Sequence, residues 1–229
     1  MIGIIGAMDI EVNSLKNAVE NAQIIKISGI DFVSGKIDGK NVVIAKAGVG
    51  KVNAAVCAQT MILAFHPDVV VNTGVAGSLS SAAGVGDIVI GTAVVQHDMD
   101  TTPLGDPSGL IPGIDMVNMP CSEKARVLLV KCAKKIEGVK ALSGIIATGD
   151  IFLNSIEKKS WIADTFGAVA GEMEGGSIGQ VCIINGVDFA VVRAISDNAD
   201  GSSHIDFNEF VALAAKNSAG LILEFISRY

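Results

Sequence analysis

Aromatic side chains are scarce in this chain: one Trp, one Tyr and eight Phe among 229 residues. A core without them has to come from Val, Ile, Leu and Ala, the composition of strands covered by helices on both faces. Basic residues are outnumbered, 17 Lys and Arg against 24 Asp and Glu, and they form no cluster. This excludes the electrostatic footprint of a nucleic-acid-binding surface and favours a small ligand or a protein partner. The four cysteines, at positions 57, 121, 132 and 182, include no CxxC pair. Three of them lie in apolar helical patterns and read as buried free thiols in a reducing cytosol. The histidines, His66, His97 and His204, lack ligand spacing, so neither a metal nor another cofactor is expected. Long apolar runs are also missing. MIGIIGAM meets Asp9 and Glu11 at once and has no basic leader. No run reaches membrane-spanning length without a charge or a turn signal. The expectation is a soluble, cytoplasmic protein without a membrane partner.

What is present is alternation. IGIIGA (2–7) reads as a buried first strand. DIEVNSLKNAVEN (9–21) reads as a helix, with Val12, Leu15 and Val19 at helical spacing and Asp9 as a possible N-cap. Residues 24–48 read as three strands with a glycine-centred hairpin and an Asp-Gly turn at 38–39. A helix at 50–66 stops at Pro67, and strands follow at 68–78 and 86–98. Residues 99–120 hold most of the prolines and little periodicity, the mark of a lid or interface loop. A surface helix at 122–137 and a strand at 140–150 come next. DTFGAVA reads as a strand running into EMEG, followed by a buried helix in SIGQVCIIN. A strand at 187–197 and a helix at 204–229 complete the chain. No composition break marks a linker, so one α/β domain over 1–229 is expected, with a mostly parallel or mixed central sheet between helices, a three-layer α/β/α arrangement.

In open α/β sheets ligands collect at the carboxyl ends of strands. Four such ends carry unusual residues: GAMDIE, NTGVAGS, TGDIF and RAISD. With AGEMEGG they bring Glu11, Glu172, Glu174, Arg193 and Asp197 towards one rim. Each has a plainer reading. Glu11 can be a first-turn glutamate favoured by the helix dipole. Glu172 can lie on the solvent edge of its strand, and Asp197 can be a turn or cap residue. Glu174 is harder to dismiss, because it opens an apolar helix. Arg193 sits in a buried strand, AVVRAI, and requires a carboxylate partner. Other patterns fail. KAGVGKVN departs from a phosphate loop in spacing and has Val52 where a hydroxyl belongs. GIIGAM is not GxGxxG, and Ser78 and Ser196 have no evident histidine partner.

The set IGIIGAMxxE at 2–11, AGVGKVNAA at 47–55, NTGxAG at 72–77, VGDIV at 85–89, TGDxF at 148–152, EMEG at 172–175 and RAISDNAD through HIDFNEF at 193–210 spans nearly the whole chain. In this order it resembles the purine nucleoside phosphorylase-like superfamily and, within it, the family of 5′-methylthioadenosine/S-adenosylhomocysteine nucleosidases. The resemblance implies hydrolysis of the N-glycosidic bond between adenine and a 5-thio-substituted ribose, through an oxocarbenium-like transition state. It implies that Glu11 activates the attacking water and that Asp197 protonates adenine N7, two acid–base roles. It implies that Glu174 accepts hydrogen bonds from the ribose 2′- and 3′-hydroxyls, with Met173 beside the sugar. Arg193 would balance the negative charge, Phe152 would stack on adenine, Leu153 would read its edge through backbone groups, and Ser196 would orient Asp197. Glu172 and Gly77 fall in the same lining, Glu172 in a structural place with no role of its own in the reaction. Val49, Phe207 and Phe210 are candidates for an apolar pocket around the alkylthio group.

The resemblance further implies a homodimer, in which Thr101, Leu104 and Pro112 of the proline-rich loop reach the neighbouring subunit's site. It implies adenine thionucleosides as the small-molecule partners. Two departures stand out: Val75 replaces a serine common in the family, leaving only backbone groups there, and Leu104 replaces a frequent aromatic. A phosphorylase, a futalosine hydrolase and a noncatalytic nucleoside-binding module are the rivals. Phosphate needs cationic donors, and the loops near the site supply Lys46 and Lys51 but no arginine, while Glu11 would repel the anion.

Overall fold

The computed structural model describes residues 1–136, 138–198 and 203–229, with the side chains of 203–209 outside the described set. The first strand, β1 (Ile2–Gly6), is buried along its whole length. It lies between two parallel neighbours, β4 (Lys40–Lys46) and β5 (Val69–Ser78). That double burial is why IGIIG and VVVNTGVAGS read as continuous apolar runs and not as alternating ones. Antiparallel β3 (Ile30–Ile37) and β2 (Glu20–Ile27) extend the sheet beyond β4 as a meander.

On the other side of β5 the sheet closes on itself. β10 (Asp188–Asp197) pairs in parallel with β5 and antiparallel with β6 (Ile88–Gln96). β8 (Ala141–Thr148) runs parallel to β6, and β9 (Ala168–Glu172) runs parallel to β8. β9 then returns antiparallel to β5, completing a five-stranded ring. The sheet is mixed, as expected, but the ring was not legible in the residues, because closure depends on pairing partners that a pattern along one strand does not name.

Helices cover both faces. α1 (Asp9–Asn17), α3 (Glu123–Ala133) and α6 (Ser203–Arg228) share one core through Val12, Leu15, Leu129, Leu221 and Phe225. α2 (Lys51–Phe65) and α5 (Gly175–Asn185) share the other through Cys57, Met61, Ile178 and Cys182. Each fully buried aliphatic side chain contributes about 1.5–3 kcal/mol to folding. Phe210–Arg228 of α6 is long and apolar enough to cross a membrane by length and composition. Here it packs on β10 and β5 and buries Leu221, Ile222, Phe225 and Ile226, as a core helix does.

Three local expectations are corrected. The first helix ends at Asn17; Ala18 and Val19 form the turn, and Glu20 and Asn21 already belong to β2, an edge strand whose first four side chains are exposed and polar or small and leave no apolar periodicity to read. Asp9 is not the N-cap: Met8 holds that position, and Asp9 sits in the first turn, where it pairs with Lys46 at 2.7 Å. DTFGAVA is not one strand. Asp164–Phe166 form the last turn of α4 (Ile156–Phe166), which the Ser155 hydroxyl caps by accepting the Lys158 N–H. Gly167, at φ 64°, ends it in the left-handed conformation that glycine adopts freely. The 99–120 segment is mostly irregular, with a 3-10 turn at Thr102–Leu104 and a two-residue strand, β7 (Met119–Pro120), on β6.

Candidate active site

Register brings the strand ends together. Asp197 on β10 lies opposite Gly77 on β5, which lies opposite Gly171 on β9. Glu172, the next residue, lies opposite Thr148 at the end of β8. β1 delivers the turn that leads to Glu11. One cavity opens at this rim, and Glu11, Val49, Val75, Gly77, Phe152, Leu153, Glu172, Met173, Glu174, Arg193, Ser196 and Asp197 all line it.

Backbone amides fix Glu11. Its Oε2 accepts the N–H groups of Ala7 at 2.7 Å and Met8 at 2.9 Å, and its Oε1 accepts that of Val75 at 3.0 Å. The bond to Met8 is the reach-back of a helix N3 glutamate to its own N-cap. The plain reading of Glu11 as a first-turn residue is therefore true, and the same carboxylate faces the cavity. Gly74 makes this arrangement possible, since a Cβ there would lie 2.5 Å from Glu11 Oε1 and 2.6 Å from the Arg193 guanidinium. Val75 contributes its backbone N–H here, since its side chain has no polar group to offer.

The two glutamates of EME have opposite fates. Glu172 is not on a solvent edge, which corrects the plainer reading. It is buried, and it accepts hydrogen bonds from the Thr148 hydroxyl, the N–H groups of Glu174 (3.0 Å) and Gly175 (2.7 Å), and Arg193. Both its oxygens are engaged by protein donors. Glu174 accepts the Gly50 N–H at 2.9 Å on Oε1, and its Oε2 is 3.5 Å from Arg193 Nη2. Burial pushes its carboxyl up to about 7, against the pull of Arg193 and with the help of the neighbouring Glu172 and Glu11 charges. A carboxylate held this far from its ordinary range needs further donors to ionise fully. Arg193 is itself fully enclosed and also bonds the Asn72 side chain, while its Nη1 donates to the Val75 carbonyl at 3.3 Å.

Asp197 is held by side chains. Ser196 Oγ donates to its Oδ1 at 3.0 Å, and Lys159 Nζ lies 3.3 Å from its Oδ2. Gly77 gives it room: a Cβ there would stand 2.7 Å from Oδ2. Apolar groups, Met8, Val49, Ile151 and Met173 among them, line the rest of the cavity, with half-exposed Phe152 at its mouth.

Thr101, Leu104 and Pro112 do not line this cavity; Leu104 is 82% exposed. Phe207 lies on the α6 backbone, and its side chain is outside the described residues. Lys159, Asn72 and Thr148 were missed. Asn72 and Thr148 carried a weak signal as polar residues inside buried strands. Lys159 shares the buried face of α4 with Ile162 and Phe166, a three- and four-residue spacing inside a segment to which no element had been assigned. Among the described residues no group of three or more His, Cys, Asp or Glu side chains is arranged to hold a metal.

The chain, a partly closed mixed sheet with acids converging at its strand ends, belongs to the phosphorylase superfamily, whose family model matches residues 1–227. Among curated relatives it is similar to a 5′-methylthioadenosine/S-adenosylhomocysteine nucleosidase of Geobacillus sp. (strain WCH70), at 40% identity over 99% of this chain and 97% of that protein. Among solved structures it is similar to the same-named nucleosidase of Neisseria meningitidis in complex with methylthio-immucillin-A. The TM-score is 0.96 and the identity 35%, over 100% of this chain and 99% of the other. A futalosine hydrolase of Helicobacter pylori is also similar, with TM-score 0.94 and 34% identity over 100% of this chain and 97% of that one.

Proposed function

We propose that this chain hydrolyses the N-glycosidic bond of 5′-methylthioadenosine and S-adenosylhomocysteine, releasing adenine and the corresponding thioribose. The observation that carries the reading is one cavity lined by Glu11, Glu174 and Asp197 together, in a chain 40% identical to a nucleosidase of that name. In this reaction the C1′–N9 bond breaks while a C1′–O bond to water forms. Glu11 takes a proton from the water, and Asp197 gives one to adenine N7, so that the purine leaves neutral. General acid and general base catalysis each contribute about 10²–10⁴-fold. Attack on one face with departure from the other is the logic of two-carboxyl inverting glycosidases. Glu174 accepts the ribose hydroxyls, which supply the donors its buried carboxylate lacks. Met173 packs beside the sugar, Phe152 stacks on the purine, and Val49 borders the alkylthio group.

Water is favoured over phosphate because of where the cations are. Arg193 is occupied by Glu172, Glu174 and Asn72. Lys46 is paired with Asp9, and Lys51 with Asp98 at 2.7 Å. Neither lysine lines the cavity. Futalosine is the second reading, favoured by the likeness to a futalosine hydrolase.

We read residues 1–229 as one domain working as a homodimer. Val52, Val56 and Leu63 form one exposed stripe on α2, and exposed Ile184 continues it on α5, which packs beside α2. We take this stripe as the face for a second copy, and Thr101, Leu104 and Pro112 of the proline-rich loop as the residues that approach the partner's cavity. The four free, buried cysteines support a reducing, cytoplasmic compartment.

The test is adenine release from methylthioadenosine, S-adenosylhomocysteine and futalosine in phosphate-free buffer, with EDTA present. The expected result is turnover on the first two with the higher kcat/KM. Release that requires added phosphate would assign the chain to the phosphorylases, and a dominant kcat/KM on futalosine would reassign the substrate.

A further inference from the structure

Lys159 is a buried cation with no part in the chemistry just described. It sits one turn into α4, four residues after the Ser155 cap, on the face that also buries Ile162 and Phe166. Its side chain is 2% exposed. Burying an ammonium carries a large desolvation cost, and an apolar side chain would fill the same slot without it. The ammonium reaches the last residue of β10 and the one after it: Asp197, Oδ2 at 3.3 Å, and the Asn198 carbonyl at 2.5 Å. Ser196 Oγ holds the other oxygen of Asp197 at 3.0 Å. The acid is thereby gripped on both oxygens, by a neutral donor on one and a full positive charge on the other.

Resting on the hydrolase reading above, we infer that Lys159 is a positioning residue that supplies the counter-charge for the carboxylate left on Asp197 when its proton passes to the departing purine. In that step the Asp197 O–H bond breaks as the N7–H bond forms, the C1′–N9 electron pair passes to adenine, and Asp197 is left as an anion. The charge on Lys159 is unchanged throughout, but its attraction to Asp197 grows as the proton leaves. An interaction stronger in the transition state than in the ground state raises kcat without tightening substrate binding. A preset charge in a water-poor site does so without reorganisation during the reaction. Arg193, the other buried cation of the site, is committed to Glu172 and Glu174 and serves the sugar end of the cavity.

Two neutral variants and two leaving groups test this. Lys159→Met keeps the stem and loses both charge and donor. Lys159→Gln keeps a donor, on a stem one bond shorter, and loses the charge. Each is assayed on methylthioadenosine and on the 4-nitrophenyl glycoside of 5-methylthioribose, whose phenolate leaves without a proton. Both variants should lose about tenfold or more in kcat for adenine release, with KM within about threefold of wild type. Their rates on the nitrophenyl glycoside should stay within about twofold of wild type. Equal losses on the two substrates would mean that Lys159 only supports the fold, and wild-type kcat for adenine release in the Gln variant would mean that its charge is idle; either overturns the inference. If the Met variant does not fold, the Gln variant alone decides. A wild-type protein that releases no adenine would overturn the hydrolase reading first, so the two failures are distinct.

Discussion

The two ends of the cavity are built from different materials. At one end Glu11 is held by three backbone N–H groups, from Ala7, Met8 and Val75. At the other Asp197 is held by two side chains, Ser196 and Lys159. Backbone donors belong to the fold and survive every substitution except one to proline, so the end proposed to activate water is fixed by the chain path from β1 into α1 and by β5. Side-chain donors can be exchanged singly, so the end proposed to protonate the purine is tunable. Between them stands a third arrangement, Arg193 shared by two glutamates. Glu172 gives up its whole acceptor capacity to protein groups, and Glu174 keeps some for a ligand.

Breaking this comparison should give a graded series. The largest effect belongs to Glu11→Gln. An amide cannot take the water's proton, and its NH₂ must face at least one backbone N–H. A loss of about 10²–10⁴ in kcat is expected, with binding of a nonhydrolysable adenosine analogue retained; single-turnover adenine release reads the first and titration calorimetry the second. Next comes Glu172→Ala, which removes one partner of a buried ion pair and strands Arg193 next to Glu174. It should cost about 3–5 kcal/mol of folding stability, read from the denaturation midpoint. Third is the pH response of binding. Glu174 stands at about 7 in the empty site. If ribose hydroxyls donate to it, binding favours the ionised form and expels a proton. Affinity for a nucleoside analogue should then rise about tenfold from pH 6 to pH 8, with proton release near pH 7 detected by calorimetry in buffers of different ionisation enthalpy. A flat profile would separate Glu174 from the sugar. The smallest effect is Ser196→Ala, which removes one neutral hydrogen bond and leaves Lys159 in place. About 1 kcal/mol, or a several-fold drop in kcat, is expected.

The same contrast explains what is legible along the chain. Buried strands announce themselves as unbroken apolar runs, so β1, β5, β6 and β10 were visible, and so were the acids that break the pattern at their ends. Asp197 was visible for that reason, as the charge that ends RAIS. What holds it was only half visible. Ser196 adjoins it in sequence, but Lys159 comes from a helix that had not been assigned, 38 residues away. The solvent-edge reading of Glu172 fails, and its structural place beside the site stands, because the donors that justify its burial come from four places: Thr148, Arg193 and two local amides. A run of residues shows that a group is costly to bury, and only pairing across the sheet shows what satisfies it. The ring formed by β5, β10, β6, β8 and β9 was hidden for the same reason, and it is that ring that brings Gly77, Gly171 and Asp197 face to face.

The most direct measurement is a crystal structure of the chain with a nonhydrolysable, oxocarbenium-like adenosine analogue carrying a 5′-methylthio group. The expected result is a water about 3 Å from Glu11 on the sugar face opposite the base, with an Asp197 oxygen within about 3 Å of N7. An analogue seated with Glu11 and Asp197 on the same face of the sugar, or with N7 facing away from Asp197, would contradict the division of the cavity into a water end and a purine end.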